Sequence, residues 1–156
     1  MNEGEAASHL ESVFLCDLDV SLEPSYVIPT HSGLNQIIRV RSGTVKGRIN
    51  GEVLPGGGDW LVFDRDRVGR IDVRLALRLD GDAIVDVRYV GRLILPADGL
   101  RRLASGEALT PEETYFRTAP VFTAGSEQFA WLNRVLAVGV GQIGPDWVRY
   151  RIYEVK

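Results

Sequence analysis

The chain has 156 residues, 45% of them apolar and 25% charged, with 18 basic against 21 acidic side chains and a formal charge of −3. That is enough apolar material for one domain with its own core, and an isoelectric point near 5.4 argues against the dense positive surface that nucleic acid or an anionic membrane requires. A single cysteine, Cys16, permits no intramolecular disulfide, and neither a leader-like apolar start nor a run approaching about 20 apolar residues is present, so a cytoplasmic chain is expected.

Residues 1–9 are acidic and lack apolar periodicity, which predicts a disordered tail before a single domain over 10–156. From there period-two alternation dominates, the pattern of strands with one dry face. Phe14, Cys16, Leu18 and Val20 share a face of a first strand, 11–20. Further strands are expected over 35–42, 44–53, 59–64, 69–79, 83–91, 115–123, 134–142 and 147–155. The run 69–79 has the clearest pattern, with Ile71, Val73, Leu75, Leu77 and Leu79 on one side and Asp72, Arg74, Arg78 and Asp80 on the other.

Turn chemistry separates these runs at Asn50-Gly51, Pro55-Gly56-Gly57-Gly58, Asp80-Gly81-Asp82 and Gly144-Pro145-Asp146. A short helix is expected over 97–105, with Asp98 in a capping position and Gly106 as terminator, and a single helical turn over 125–133 with Phe129 and Leu132 pointing inward. Many short strands at hairpin spacing predict an all-β, closed or nearly closed antiparallel barrel, because closure removes aggregation-prone edges. A two-sheet sandwich is the alternative.

Few motifs carry chemistry. With His9 and His31 as the only histidines and one cysteine, no metal-ligand spacing occurs, and the arginines within Asp64-Arg65-Asp66-Arg67 neutralise a carboxylate site. The Gly56–Gly58 run is followed by Asp59 and a strand, the wrong context for phosphate. It reads instead as a close backbone approach that presents Asp59 and Trp60. No nucleophile elbow is present. There remains a polar and aromatic set: Asp59, Trp60, Arg74, Tyr89, Tyr115, Arg117, Trp131 and Asn133.

Three strings within that set, Gly51-Glu52-Val53-Leu54-Pro55-Gly56-Gly57-Gly58-Asp59-Trp60, Tyr115-Phe116-Arg117-Thr118-Ala119-Pro120 and Trp131-Leu132-Asn133-Arg134, resemble the hallmarks of domain-of-unknown-function family 3237 and stand in that family's order. The resemblance spans about Leu10 to Val155 and implies a calycin-like barrel. Two positions depart from the family pattern: Leu75 stands where an aromatic residue often follows the arginine, and Tyr89-Val90-Gly91 replaces an Asn-x-Gly.

The expected pocket gathers Asp59, Trp60, Arg117, Trp131 and Asn133, with Arg74 and Tyr89 on neighbouring strands. Alternation puts Phe116 and Arg117 on opposite faces, and which one points inward is open; an inward Arg117 needs a partner such as Asp59, as a structural or a catalytic pair. In the catalytic version Asp59 is the general acid or base, Arg117 with Tyr115 or Asn133 steadies a developing oxyanion, and the two tryptophans grip a flat or apolar substrate.

That constellation fits a cofactor-free isomerase, lyase or Michael-type cyclase acting on a small carbonyl compound. The rival function is a lipocalin-like carrier, which shares every one of these residues but gains nothing from a buried Asp59. A homodimer paired through Val148–Val155 as an edge strand is a further expectation.

Overall fold

The computed structural model describes residues 9–156; apart from His9, the expected tail lies outside the described residues. The strands are β1 (Ser12–Leu22), β2 (Tyr26–Pro29), β3 (Gly33–Gly47), β4 (Gly51–Val53), β5 (Gly58–Asp64), β6 (Gly69–Leu79), β7 (Ala83–Ile94), β8 (Tyr115–Ala124), β9 (Ala137–Ile143) and β10 (Trp147–Val155), with one α-helix, α1 (Gly99–Ala104). All strand pairings are antiparallel. β1 and β2 lie end to end along one side of β3, and β4 and β5 along its other side. The ten strands therefore form a closed eight-position barrel. No helix is long and apolar enough to cross a membrane, among the described residues.

Closure is made by β1, which pairs with both β3 and β10. Its outward residues fix the register: Asp17 faces Arg151 and Asp19 faces Arg149 across β10, joined at 2.8 Å and 2.6 Å. Glu52 and Arg78 do the same between β4 and β6 at 2.7 Å. The dispersed arginines thus serve largely as cross-strand partners, each worth little alone but penalising a slipped register.

Several local expectations change. A β-bulge between Phe14 and Cys16 shifts the register, so Leu15 and Cys16 are both buried while Phe14 turns outward against Tyr153. The expected hairpin between 35–42 and 44–53 is instead one long β3: Gly43 is in the way of nothing, but a Cβ there would lie 2.2 Å from the Asp19 carbonyl oxygen, so the glycine marks a close crossing of β1. The chain turns after Gly47, where the Asn50 amide bonds the Gly47 N–H and carbonyl at 3.2 Å and 3.0 Å. β2 was not anticipated; its four residues are too few to show alternation. Asp98 precedes α1 without capping it by its side chain and lies instead near Arg101 and Arg102. β10 sits between β1 and β9, so Val148–Val155 is not the edge strand that was expected.

The two ends of the barrel differ. The 3₁₀ segment Glu127–Arg134, between β8 and β9, buries Phe129 and Leu132 and closes one end, as its apolar spacing predicts. The other end is bordered by α1, and there the interior is hollow. β8 and β9 share only the rungs Arg117/Val140 and Thr118/Gly139. Beyond them Asn133 substitutes for a strand, accepting from the Ala124 N–H and donating to the Ala124 carbonyl, both at 2.8 Å. Asn133→Ala removes both bonds, and a loss of about 1–3 kcal/mol in unfolding free energy is expected from urea titration.

Candidate active site

The hollow half of the barrel holds a cavity of about 50 Å³ that opens to solvent. Its lining comes from strands distant in sequence, and Asp59, Tyr89 and Tyr150 supply all of its polar side-chain atoms among the described residues. The rest is hydrocarbon or backbone.

Each polar group is placed by a local rule. Pro55-Gly56 turns the chain, with Gly56 at φ +103°, and Gly57 and Gly58 then thread β5 between β6 and β3. A Cβ on Gly57 would lie 2.5 Å from the Arg74 carbonyl, and one on Gly58 2.8 Å from that of Ile38. Asp59 follows at once and, by alternation with Leu61 and Phe63, points inward. The β5–β6 ladder is interrupted between Asp59/Val73 and Val62/Arg70, and in that gap the Asp72 N–H donates to Asp59 Oδ1 at 3.0 Å. The carboxylate is held on one side and faces the cavity on the other.

Tyr89 and Tyr150 are 5% and 4% exposed. Their rings meet edge to face at 5.3 Å, and Phe116 meets Tyr150 in the same way at 5.2 Å. Their hydroxyls hydrogen-bond to each other. Gly141 makes room for this cluster, since a Cβ there would lie 2.5 Å from the Phe116 ring.

The electrostatics follow from the dry lining. Burial pushes the Asp59 carboxyl up to about 6 from its ordinary 3.8; the Asp72 N–H bond opposes this and the Asp72 charge adds to it. Burial also raises both phenols, and the Asp59 charge raises them further. At neutral pH the site holds a carboxylate close to its titration point beside two phenols that keep their protons.

Of the residues expected to meet here, Asp59 and Tyr89 do, and six do not. Trp60 is 49% exposed on the outer face of β5, its ring 3.6 Å from where a Gly58 Cβ would be. Arg74 lies outward on β6. On β8 it is Phe116 that points inward; Arg117 turns out, donates to the Phe116 carbonyl at 3.0 Å and lies over the Tyr115 ring at 5.0 Å. Tyr115 itself is 50% exposed. Trp131 stacks under Arg48 at 4.8 Å near the closed end, where Asn133 is bound to Ala124. The physical reason is shared: a guanidinium in a dry barrel costs several kcal/mol, whereas on the outer wall it keeps water and can cover an aromatic face. Consequently no cation among the described residues compensates Asp59. Tyr150 was missed, although its alternation with Val148 and Ile152, both buried, marks it as inward.

The chain belongs to the DUF3237 family, described as "Protein of unknown function", whose sequence pattern matches residues 9–155. A UPF0311 protein of Rhodopseudomonas palustris is 34% identical over 125 residues, covering 80% of this chain and 82% of the relative. The crystal structure of a conserved protein of unknown function from the same organism superposes with a TM-score of 0.90 at 30% identity, over 96% of this chain and all (100%) of the other. A β-barrel-like protein of Acinetobacter baumannii gives 0.82 at 28%, over 97% and 99%. An enzyme from Penicillium herquei shares the fold at 0.71 and 18%, over 98% and 99%.

A raised carboxyl pKa makes stability depend on pH with a definite sign. Between about 4 and 6 the folded chain holds the Asp59 proton more tightly than the unfolded chain, so this group's contribution falls as pH rises through that window and the penalty is complete above it. Asp59→Asn removes the penalty while its amide oxygen still accepts from Asp72. The variant is expected to be more stable than the wild type at pH 8, by about 1–3 kcal/mol after allowance for the residual exposure of Asp59, with the difference vanishing near pH 4 in parallel denaturant titrations.

Proposed function

We propose that this DUF3237 member is a cytoplasmic, cofactor-independent proton-transfer enzyme that acts on a small, uncharged carbonyl compound, partly apolar or aromatic, inside the barrel. The observation that carries this reading is the solitary Asp59 carboxylate in an otherwise apolar cavity, without a cation and beside two protonated phenols. Such a group weakens the fold, and its place in the cavity fits a chemical task.

The roles follow from protonation states. Asp59 as carboxylate removes a proton from the carbon next to the substrate carbonyl. Of the phenol pair Tyr150 and Tyr89, one O–H is given to the other ring's oxygen and the remaining O–H donates a hydrogen bond to the oxygen on which negative charge then develops. This neutral donor replaces the guanidinium expected from Arg117. Asp59, now protonated, returns the proton to a different carbon in an isomerisation, or to the leaving group in an elimination; in a ring closure it takes the proton of the attacking hydroxyl and returns it to the carbanion carbon. One base with a matched pKa contributes about 10²–10⁴-fold, and one oxyanion donor about 10²–10³-fold, sufficient for activated substrates. A distant fold neighbour described as an enzyme supports a catalytic use of such a barrel.

The apolar lining equally favours a second reading, a carrier of small hydrophobic molecules. Asp59 separates the two, because an ionised carboxylate only weakens the binding of a neutral apolar ligand. On the enzymatic reading, kcat/KM rises through pH about 6 and is level above it. Asp59→Asn loses about 10²–10⁴-fold in turnover with ligand affinity within about tenfold, and Tyr150→Phe loses about tenfold or more. The assay is deuterium exchange at the α-carbon of bound ketones, followed by NMR. Ligands that bind wild type and Asp59→Asn alike, with no exchange in either, would establish the carrier.

A further inference from the structure

Above the inner chamber the barrel widens into a funnel of about 510 Å³. Chamber and funnel adjoin: Leu22, Ile38, Leu61, Leu93 and Ile143 line both. Beyond this shared collar, Phe63, Leu95, Leu100 and Leu103 carry the apolar wall outward. The wall is completed by α1, whose Leu100 is 50% exposed and whose Leu103 is half-buried. A short helix that shows leucine to an open funnel gains little from folding by doing so, since that surface stays wet in the empty protein.

Charged groups are confined to the two extremes, and the wall between them carries Gln36 as its uncharged polar side chain. At the inner end stand Asp59, Tyr89 and Tyr150. At the outer rim stands Arg41, but its guanidinium already holds both oxygens of Glu23 at 3.1 Å, and Asp146 acts on it from the same rim. An anionic head group at the rim would meet an occupied arginine and two carboxylates. An anion at the inner end would meet Asp59.

The geometry points to an amphiphilic substrate, uncharged, that enters with its oxygen first and leaves a hydrocarbon tail in the funnel against α1. This orientation is the inverse of one that hides the tail and leaves the head group in water. It rests on the proton-transfer reading for the identity of the inner oxygen, but the funnel's role as a tail site stands on the mainly apolar wall that the two spaces share. Among uncharged ligands chain length then sets affinity: each methylene buried adds about threefold to fourfold.

The test uses the full chain, calorimetry, and straight-chain methyl ketones from butanone to dodecanone beside alkanoates of matching length. Ketone affinity is expected to climb about threefold to fourfold per methylene until the funnel is filled, with alkanoates at pH 8 weaker by about tenfold or more. Leu100→Gln, a change at an exposed position, is expected to lower dodecanone affinity several-fold more than butanone affinity. Affinity independent of chain length, or alkanoates binding as tightly as ketones, overturns the proposal, and the wild-type series decides this even if the variant does not fold. The α-deuterium exchange of the same ketones is read in parallel. Chain-length dependence without exchange refutes proton transfer and leaves the tail site standing, whereas exchange with flat affinity refutes the tail site alone.

Discussion

Everything in this molecule depends on the double pairing of β1. By bonding to β3 on one side and β10 on the other, it turns a sheet with two edges into a ring with a fixed interior. Once closed, the ring sends every second side chain of each strand into one confined space, and the bulk of those side chains decides which parts are solid. At the end plugged by the 3₁₀ segment, Leu15, Leu77, Val85, Phe129 and Leu132 fill the space. At the opposite end the strands deliver Gly58, Val73 and Asp59 as well as large side chains, and space remains.

The hollow half brings together groups that would be unfavourable in a packed core. A carboxylate near its titration point and two phenols with raised pKa values are consequences of the same dry lining. The supports around them are stiff. Asp59 is anchored to the backbone of Asp72, and Tyr150 is wedged between two aromatic edges. Little reorganisation is then needed when charge moves, which is the condition under which such groups act most strongly on a reaction.

The outer wall shows the opposite use of similar residues. Arg48 covers Trp131, Arg117 covers Tyr115 and Arg149 covers Trp147 at 4.6–5.0 Å. These pairs shield aromatic surface without removing the guanidinium from water. In the linear sequence, a tryptophan or tyrosine near an arginine looks the same whether it grips a ligand or shelters under a cation. That ambiguity explains why Trp60, Tyr115, Arg117 and Trp131 read as a pocket and proved to be wall.

Sequence alone determined that this chain is built of antiparallel strands, with a barrel expected over a sandwich, where most of its turns fall, that the glycine run delivers Asp59 at the head of a strand, and that Asp59 and Tyr89 are candidates. Alternation and turn chemistry are local properties, carried by residues a few positions apart. Only the tertiary structure decided that Phe116 and not Arg117 points inward, that Asn133 stands in for a missing strand, and that Tyr150 joins Tyr89 and Asp59. Alternation divides a strand into two faces without saying which is inside, and residues separated by 30 to 90 positions meet only through the strand order and register of the closed ring.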